Sequence, residues 1–198
     1  MKAVNLTETT TGEKSLAEKI AQNAGINIHK CYQCGKCSAG CPMAEAMDLP
    51  PQQIMRLLQM GKVDQVLEAD SPWICAQCNM CSSRCPQNVD PAAVMREARR
   101  ASHETGHHSM HESNVFETLF IKGVQNNGRS NEQYLAAQYN MFSGHFIQDA
   151  FNAPKMFKKN MIGIDIRRNE NPEAIAKIIK QCKEEKPYEN AIQNEGDE

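Results

Sequence analysis

CYQCGKCSAGCP (Cys31–Pro42) returns as CAQCNMCSSRCP (Cys75–Pro86), with every cysteine displaced by 44 residues. The first copy supplies Cys31, Cys34, Cys37 and Cys41, the second Cys75, Cys78, Cys81 and Cys85. Each reads C-x2-C-x2-C-x3-C-P, a run that ligates iron–sulfur centres. Three thiols at i, i+3 and i+6 on a tight loop can wrap three corners of one cuboidal 4Fe–4S cluster, and the proline carries the fourth thiol away. The two copies predict two 4Fe–4S clusters in a two-unit duplication.

Structural zinc usually takes two separated C-x2-C knuckles around one tetrahedral ion, and disulfides need an oxidising compartment. Two compact quartets that each end in Cys-Pro suit neither. In two-cluster ferredoxins the fourth cysteine ligates the other cluster. By that analogy Cys31, Cys34, Cys37 and Cys85 hold the first cluster, and Cys75, Cys78, Cys81 and Cys41 hold the second. The linker between the sets has room for two helices and would permit either ligation pattern. No ligand is replaced by Asp, so neither site reads as an open centre, and no catalytic residue is expected in this chain. Small residues beside the ligands (Gly35, Ser38, Ala39, Gly40, Ala76, Ser82, Ser83) let backbone N–H groups approach the sulfurs, one lever on reduction potential.

Charge is nearly balanced, 22 basic against 24 acidic residues, which argues against a nucleic-acid or anionic-membrane partner. No stretch approaches the ~20 apolar residues of a transmembrane helix. Met1–Lys14 lacks the apolar core of a secretory signal. A cytoplasmic location follows as the expectation, and there nine cysteines point to metal or redox chemistry. Modest hydrophobic content predicts a thin core, helped by clusters or partners.

The surrounding patterns are helical. Ser15 with Glu18 suggests a capping box, and Gly25 a stop. Ile54, Leu57 and Leu58, then Val63, Val66 and Leu67, mark two short helices separated at Gly61. Asp90-Pro91 opens a helix through about Arg100. Farther on, Val115, Phe116, Leu119, Phe120 and Val124 form a stripe ending at Asn127-Gly128. Asn131 caps a helix with Tyr134, Leu135 and Tyr139. Asn171-Pro172 opens a last helix striped by Ile175, Ile178, Ile179 and Cys182. Strand-like alternation is scarce.

The blocks HKCYQCGKCSAGCP (His29–Pro42) and SPWICAQCNMCSSRCP (Ser71–Pro86) resemble the helical ferredoxin domain of succinate dehydrogenase iron–sulfur subunits, glycolate oxidase-type subunits and heterodisulfide reductases. FIKGVQNNGRSNEQYLAAQYN (Phe120–Asn140) and the Pro154–Arg168 stretch extend the resemblance to the C-type iron–sulfur subunit family of the heterodisulfide reductases of methanogenic archaea. It spans most of the chain, without the first dozen residues and the tail. The resemblance implies a mainly α fold, an α-helical ferredoxin-like domain with two 4Fe–4S clusters plus a C-terminal helical extension. The expected divisions are a flexible N-terminus (1–14), the ferredoxin domain (15–108), a helical partner-docking extension (109–182) and an acidic disordered tail (183–198).

What the resemblance further implies is an electron relay in methanogenesis. The A-type subunit, with flavin and iron–sulfur centres, would pass electrons through this chain to the catalytic B-type subunit, which reduces the disulfide of coenzyme M and coenzyme B. A hydrogenase or formate dehydrogenase would be the electron source. The functional residues carried over are the eight cysteines. The chain has neither the Cys-Cys-Gly motif of the B-type subunit nor a Gly-x-Gly-x-x-Gly fingerprint. Two alternatives stand beside this reading: a relay subunit of a glycolate- or glycerol-3-phosphate-oxidising complex, and a free ferredoxin. Diffusible ferredoxins tend to be small and strongly acidic, whereas this chain carries net charge −2 and a long extension.

Weaker signals have plainer readings. His103-Glu104-Thr105-Gly106-His107 matches the zincin pattern H-E-x-x-H, but Gly106 interrupts it, and with His108 and His111 it reads as a histidine-rich helix terminus. Short His tracts also bind metal adventitiously. Cys182 is expected as a buried structural thiol, with a redox role as the sharper alternative. Lys155, Lys158, Lys159, Arg167 and Arg168 form a solvated basic face or a docking surface for an acidic partner. The Val115–Phe120 stripe suits core or partner docking. Met43, Met47, Met55, Met60 and Met80 are expected around the clusters and between helices.

Overall fold

Apolar residues spaced three and four apart, with proline and glycine marking the breaks, give a chain of short helices. The computed structural model describes residues 11–107, 110–144, 153–159, 169–184 and 188. Among these, every regular element is helical: α1 (Thr11–Asn23), a 3₁₀ turn (Ile28–Lys30), α2 (Lys36–Ala39), α3 (Pro51–Gln59), α4 (Val63–Leu67), α5 (Ser71–Ile74), α6 (Met80–Ser83), α7 (Pro91–Glu104), α8 (His111–Asn127), α9 (Glu132–Phe142), α10 (Ala153–Lys158) and α11 (Pro172–Glu184). The described residues form two compact units, 11–107 with Tyr188, and 110–184.

In the first unit α1, α3, α4 and α7 pack on one another. They bury Ile20, Ile54, Met55, Val63, Val66, Leu67, Val94 and Met95 almost completely. Each such side chain stabilises the fold by about 1.5–3 kcal/mol relative to exposure, so this core is fuller than the composition suggests. Gly25 and Gly61 end α1 and α3 through paired bonds to the preceding turn: Ile26 N to Ala21 O at 3.0 Å and Lys62 N to Leu57 O at 2.9 Å.

Two helices run longer than their sequence signals. α1 begins at Thr11 rather than Ser15, which places residues 11–14 of the expected flexible segment in a helix. Good helix formers, Glu13 and Lys14, extend it one turn ahead of its buried face of Leu16, Ala17 and Ile20. α7 passes Arg100 and ends at Glu104. Ala101 and Ser102 are buried there, and Ser102 Oγ donates to Leu67 O at 2.8 Å.

Asp48, in the turn before α3, ties the linker to α5. Its carboxylate accepts from Leu49 N (2.9 Å), Ser71 Oγ (2.6 Å), Ser71 N (3.0 Å) and Asp70 N (3.2 Å). Burial alone would push this carboxyl up, but the hydrogen bonds outweigh it and hold the group below the usual carboxylate range.

In the second unit α8 packs against α9 and α11. Asn131 caps α9 by accepting from Tyr134 N at 3.2 Å, and Asn171 caps α11 by accepting from Ala174 N at 3.2 Å. Gly128 closes α8 at φ 70°, where an added Cβ would come within 2.6 Å of Asn169 Cβ. Of the apolar side chains described in this unit, Leu119 is the buried one. Phe116 and Phe120 are 46% and 39% exposed, with Phe116 stacked on Phe120 and edge-on to Tyr139.

The segment expected as a disordered tail contains ordered structure. Lys183 and Glu184 complete α11, and Tyr188 is fully buried in the first unit. Its hydroxyl donates to Glu97 Oε2 at 3.0 Å and its N–H to Glu104 Oε2 at 2.8 Å. Burial, with the Glu97 carboxylate, pushes the phenol well above its ordinary value. Residues 185–187 and 189–198 lie outside the described residues, as do 1–10.

Tyr188→Ala is expected to cost about 3–5 kcal/mol, read as a lower unfolding temperature of the cluster-loaded protein. A wild-type melt would show that Tyr188 does not hold the first unit. For Asp48→Ala the expected loss at pH 7 is about 1–2 kcal/mol after solvent screening. Because folding lowers the Asp48 value, its contribution is present above about pH 4 and vanishes as pH falls through the folded value. Wild type and variant should therefore converge in acid unfolding.

Candidate iron–sulfur site

The two cysteine loops share one backbone. Cys31 follows the 3₁₀ turn and Cys75 follows α5, both extended (φ −74°, ψ 110° and φ −60°, ψ 116°). Gln33 and Gln77 then take positive φ (64° and 53°), as do Gly35 and Asn79 (79° and 59°). Side chains other than glycine rarely adopt this region, and such strain marks functional loops. α2 and α6 follow, carrying Cys37 and Cys81.

Each loop is fastened to the helix that follows it. Ser38 Oγ accepts from Gln52 N at 2.9 Å, and Ser82 Oγ accepts from Ala92 N at 3.2 Å. Gln52 and Ala92 are both the second residue of a helix with proline first, α3 and α7. Ser82 also donates to the capping carboxylate of Asp90. From the far end of α3, Gln59 Nε2 donates to Ile28 O (3.0 Å) and Cys31 O (2.7 Å). From α7, Arg99 donates to Pro72 O (2.8 Å), Trp73 O (2.9 Å) and Cys75 O (3.0 Å). Ile28 and Pro72, like Cys31 and Cys75, are 44 residues apart, whereas Gln59 and Arg99 are 40 apart.

The cysteines are free thiols; Cys81 is buried, Cys34 and Cys78 exposed, and Cys31, Cys37, Cys41, Cys75 and Cys85 half-buried. Cys41, the last of the first set, lines one pocket with Cys75, Cys78 and Cys81 of the second. Pro51, Met43, Ala92 and Met95 give that pocket an apolar wall. Around the first set, Tyr32 lies beside both Cys34 and Cys85, and Cys31 acts on Cys37. α2 packs on α6, which brings the two sets together. Gln33 Nε2 lies 3.4 Å from Cys31 Sγ, and Gln77 Nε2 lies 3.5 Å from Cys75 Sγ. Burial pushes the Cys37 and Cys81 thiols up, so thiolates there need positive charge beside them, which iron would supply. Thiols around an apolar pocket, with amide donors on the sulfurs, fit an iron–sulfur group.

Other marked residues fall elsewhere. The H-E-x-x-H pattern is not helical throughout: α7 stops at Glu104, and Gly106 turns at φ 80°. Glu104 is committed to Arg100 Nε (2.9 Å) and Tyr188 N (2.8 Å), and His107 Nδ1 to Thr105 Oγ1 (2.9 Å). His108 lies outside the described residues, and His111 is exposed at the start of α8. Cys182 corrects an expectation: it is exposed rather than buried, because α11 meets α8 through the part-buried Ile175 and Ile179 and turns Ile178 and Cys182 outward. Lys155, Lys158 and Lys159 are exposed, while Arg167 and Arg168 lie outside the described residues. Met47 and Met55 are core, Met60 is packed against it, and Met43 and Met80 line the pocket with Met95. Gln33, Gln59, Asp48 and Arg99 carried no signal in the motif, since none is a ligand type at ligand spacing.

Comparison with known proteins agrees with this geometry. Residues 27–89 match the family described as 4Fe-4S dicluster domain. The chain is 35% identical over 82 residues to the C-type iron-sulfur subunit of the CoB–CoM heterodisulfide reductase of Methanopyrus kandleri, covering 41% of this chain and 43% of that one. It is 35% identical over 94 residues to a protein of Archaeoglobus profundus named as like the C-type subunit of heterodisulfide reductase (47% and 50% covered). It is 31% identical over 94 residues to the C-type subunit of the H2:CoB–CoM heterodisulfide, ferredoxin reductase of Methanothermobacter thermautotrophicus (48% and 51%). The chain thus spans about half the length of these relatives, a narrower match than the sequence led one to expect. No helix among the described residues is long and apolar enough to cross a membrane. Residues 27–89, helical in every regular element, match the 4Fe–4S dicluster domain, in a chain similar over under half its length to the C-type subunits of heterodisulfide reductases.

Proposed function

We propose that this chain is an electron-relay subunit of a CoB–CoM heterodisulfide reductase, holding two 4Fe–4S clusters through crossed cysteine sets. The observation that carries the reading is the pocket in which Cys41 joins Cys75, Cys78 and Cys81. Cys31, Cys34, Cys37 and Cys85 form the complementary set, with Tyr32 beside Cys34 and Cys85. When bound, such clusters accept and release single electrons without making or breaking bonds to substrate. The protein's own part is to hold eight thiolates, place Gln33 and Gln77 on two of the sulfurs, and keep water from one centre with Met43, Met95 and Pro51.

Electrons would enter from a flavin-bearing partner and leave to a catalytic one. There the heterodisulfide, two electrons and two protons give two thiols, so the bond-breaking step lies outside this chain. The names of the relatives support this substrate. We assign the second unit to partner docking, through the exposed rings of Phe116 and Phe120. A reducing cytoplasm would keep the thiols available.

Native purification under anaerobic conditions tests the assignment. Co-elution with a flavoprotein and a Cys-Cys-Gly-rich protein is expected; a lone species near 22.2 kDa would refute the subunit reading, and a hydroxy-acid dehydrogenase partner would change the reaction. Ligand variants test the site. Cys78→Ala and Cys41→Ala should each halve the iron and sulfide content and remove the same EPR signal, while Cys85→Ala removes the other. Full disulfide reduction by a Cys78→Ala complex would dismiss the relay role.

A further inference from the structure

The two loops are duplicates in geometry but not in charge. Gln59 and Arg99 occupy equivalent places, each reaching back from the helix behind its loop to the carbonyl of the first cysteine, Cys31 or Cys75, and to the carbonyl three residues before it. One of these donors is a neutral amide and the other a guanidinium, positively charged at any physiological pH. The side-chain amides on the first sulfurs are shared: Gln33 and Gln77 donate to Cys31 and Cys75 at nearly equal distance.

The neutral member also has a consequence for its neighbour. Because Gln59 Nε2 donates to two carbonyls, its Oε1 faces away from them and accepts from Gln33 Nε2 at 3.3 Å. The amide beside Cys31 is thereby fixed by Gln59 Oε1, which at its outer side also accepts from the exposed guanidinium of Arg56 at 3.4 Å. At the equivalent place beside Cys75 stands a group with donors only. Lys30, Lys36 and Arg56 near the first set, and Arg84 near the second, are exposed, so solvent screens them. Arg99 is half-buried, held by three carbonyls and set over the ring of Trp73 at 5.9 Å.

Resting on the crossed-cluster reading above, we propose that the Gln59/Arg99 difference sets the two sites to unequal potentials, with Arg99 raising that of the cluster held by Cys75, Cys78, Cys81 and Cys41. A one-electron reduction adds a negative charge, and a fixed cation beside the ligand loop stabilises the reduced form. The electron then passes downhill from the first site to the second: the donor cluster is oxidised by one electron, the acceptor reduced by one, and no proton or bond moves. Arg99 is a positioning residue in this scheme, since it acts through the Cys75 loop and touches no substrate.

Anaerobic redox titration followed by EPR, with iron and sulfide counted on every sample, tests this on the full chain. Arg99→Gln installs the residue the first repeat uses. It should lower one midpoint by about 59 mV, tenfold in a one-electron equilibrium, with the other unmoved. Arg99→Lys keeps the charge and should stay nearer wild type, which a purely structural role would not predict. Gln59→Arg should raise the other midpoint. Unmoved midpoints in a cluster-replete Arg99→Gln protein overturn the proposal, as does finding that both substitutions move the same midpoint. If the Arg99 variants lose iron, Gln59→Arg decides alone: a rise supports the proposal and no movement overturns it. Absence of inorganic sulfide from wild type would instead overturn the function on which it rests.

Discussion

Holding several cysteine thiols close together on two short loops is the constraint on which the rest of this structure depends. The loops that carry the thiols have almost no hydrophobic side chains of their own, and their helices, α2 and α6, are four residues each. Isolated helices so short do not form in water. The loops keep their shape because α3 and α7 hold them at both ends, through a serine on the second helical amide and a long polar side chain on the loop carbonyls. Those two helices are in turn fixed by the core beneath them. Ile54, Met55, Leu57 and Leu58 face inward from α3, and Val94, Met95 and Ala98 from α7. Order therefore passes outward, from packed apolar side chains to polar clamps to sulfur.

The duplication is imperfect in a way that has a use. The cysteine loops repeat at 44 residues but the clamping helices at 40, because eight residues separate Pro42 from Pro51 and four separate Pro86 from Pro91. The four extra residues make room for the turn containing Asp48. That carboxylate reaches across to Asp70 and Ser71, at the entry to the second loop. The longer connection thus ties one repeat to the start of the other, an additional link between the two cysteine sites.

Much of this was legible in the sequence. Ligand spacing needs no tertiary context, since the thiols of one set sit on a single short loop, and Asp90, Asn131, Asn171 and the terminal glycines act within a turn of where they stand. The misses share a different cause. Gln59 and Arg99 differ in chemistry and repeat at the wrong interval, so only the shared carbonyl targets show their equivalence. Tyr188 is one aromatic in an acid-rich run, and composition outweighs a single side chain until its pocket beside Glu97 is seen. Cys182 follows the apolar period of its helix, but period identifies a face and not whether a neighbour covers all of it.

Geometry and charge are controlled by different atoms in these loops. A backbone carbonyl accepts from an amide or a guanidinium with nearly the same geometry, so exchanging one for the other leaves the loop conformation intact while altering the local field. The extended φ and ψ at Cys31 and Cys75 agree closely despite different donors on their carbonyls, which shows the separation directly. A duplicated scaffold built this way can keep two identical cages and still make them unequal. For the proposed relay, that inequality matters more than the symmetry, because two identical sites would hold an electron equally well and give its passage no preferred direction.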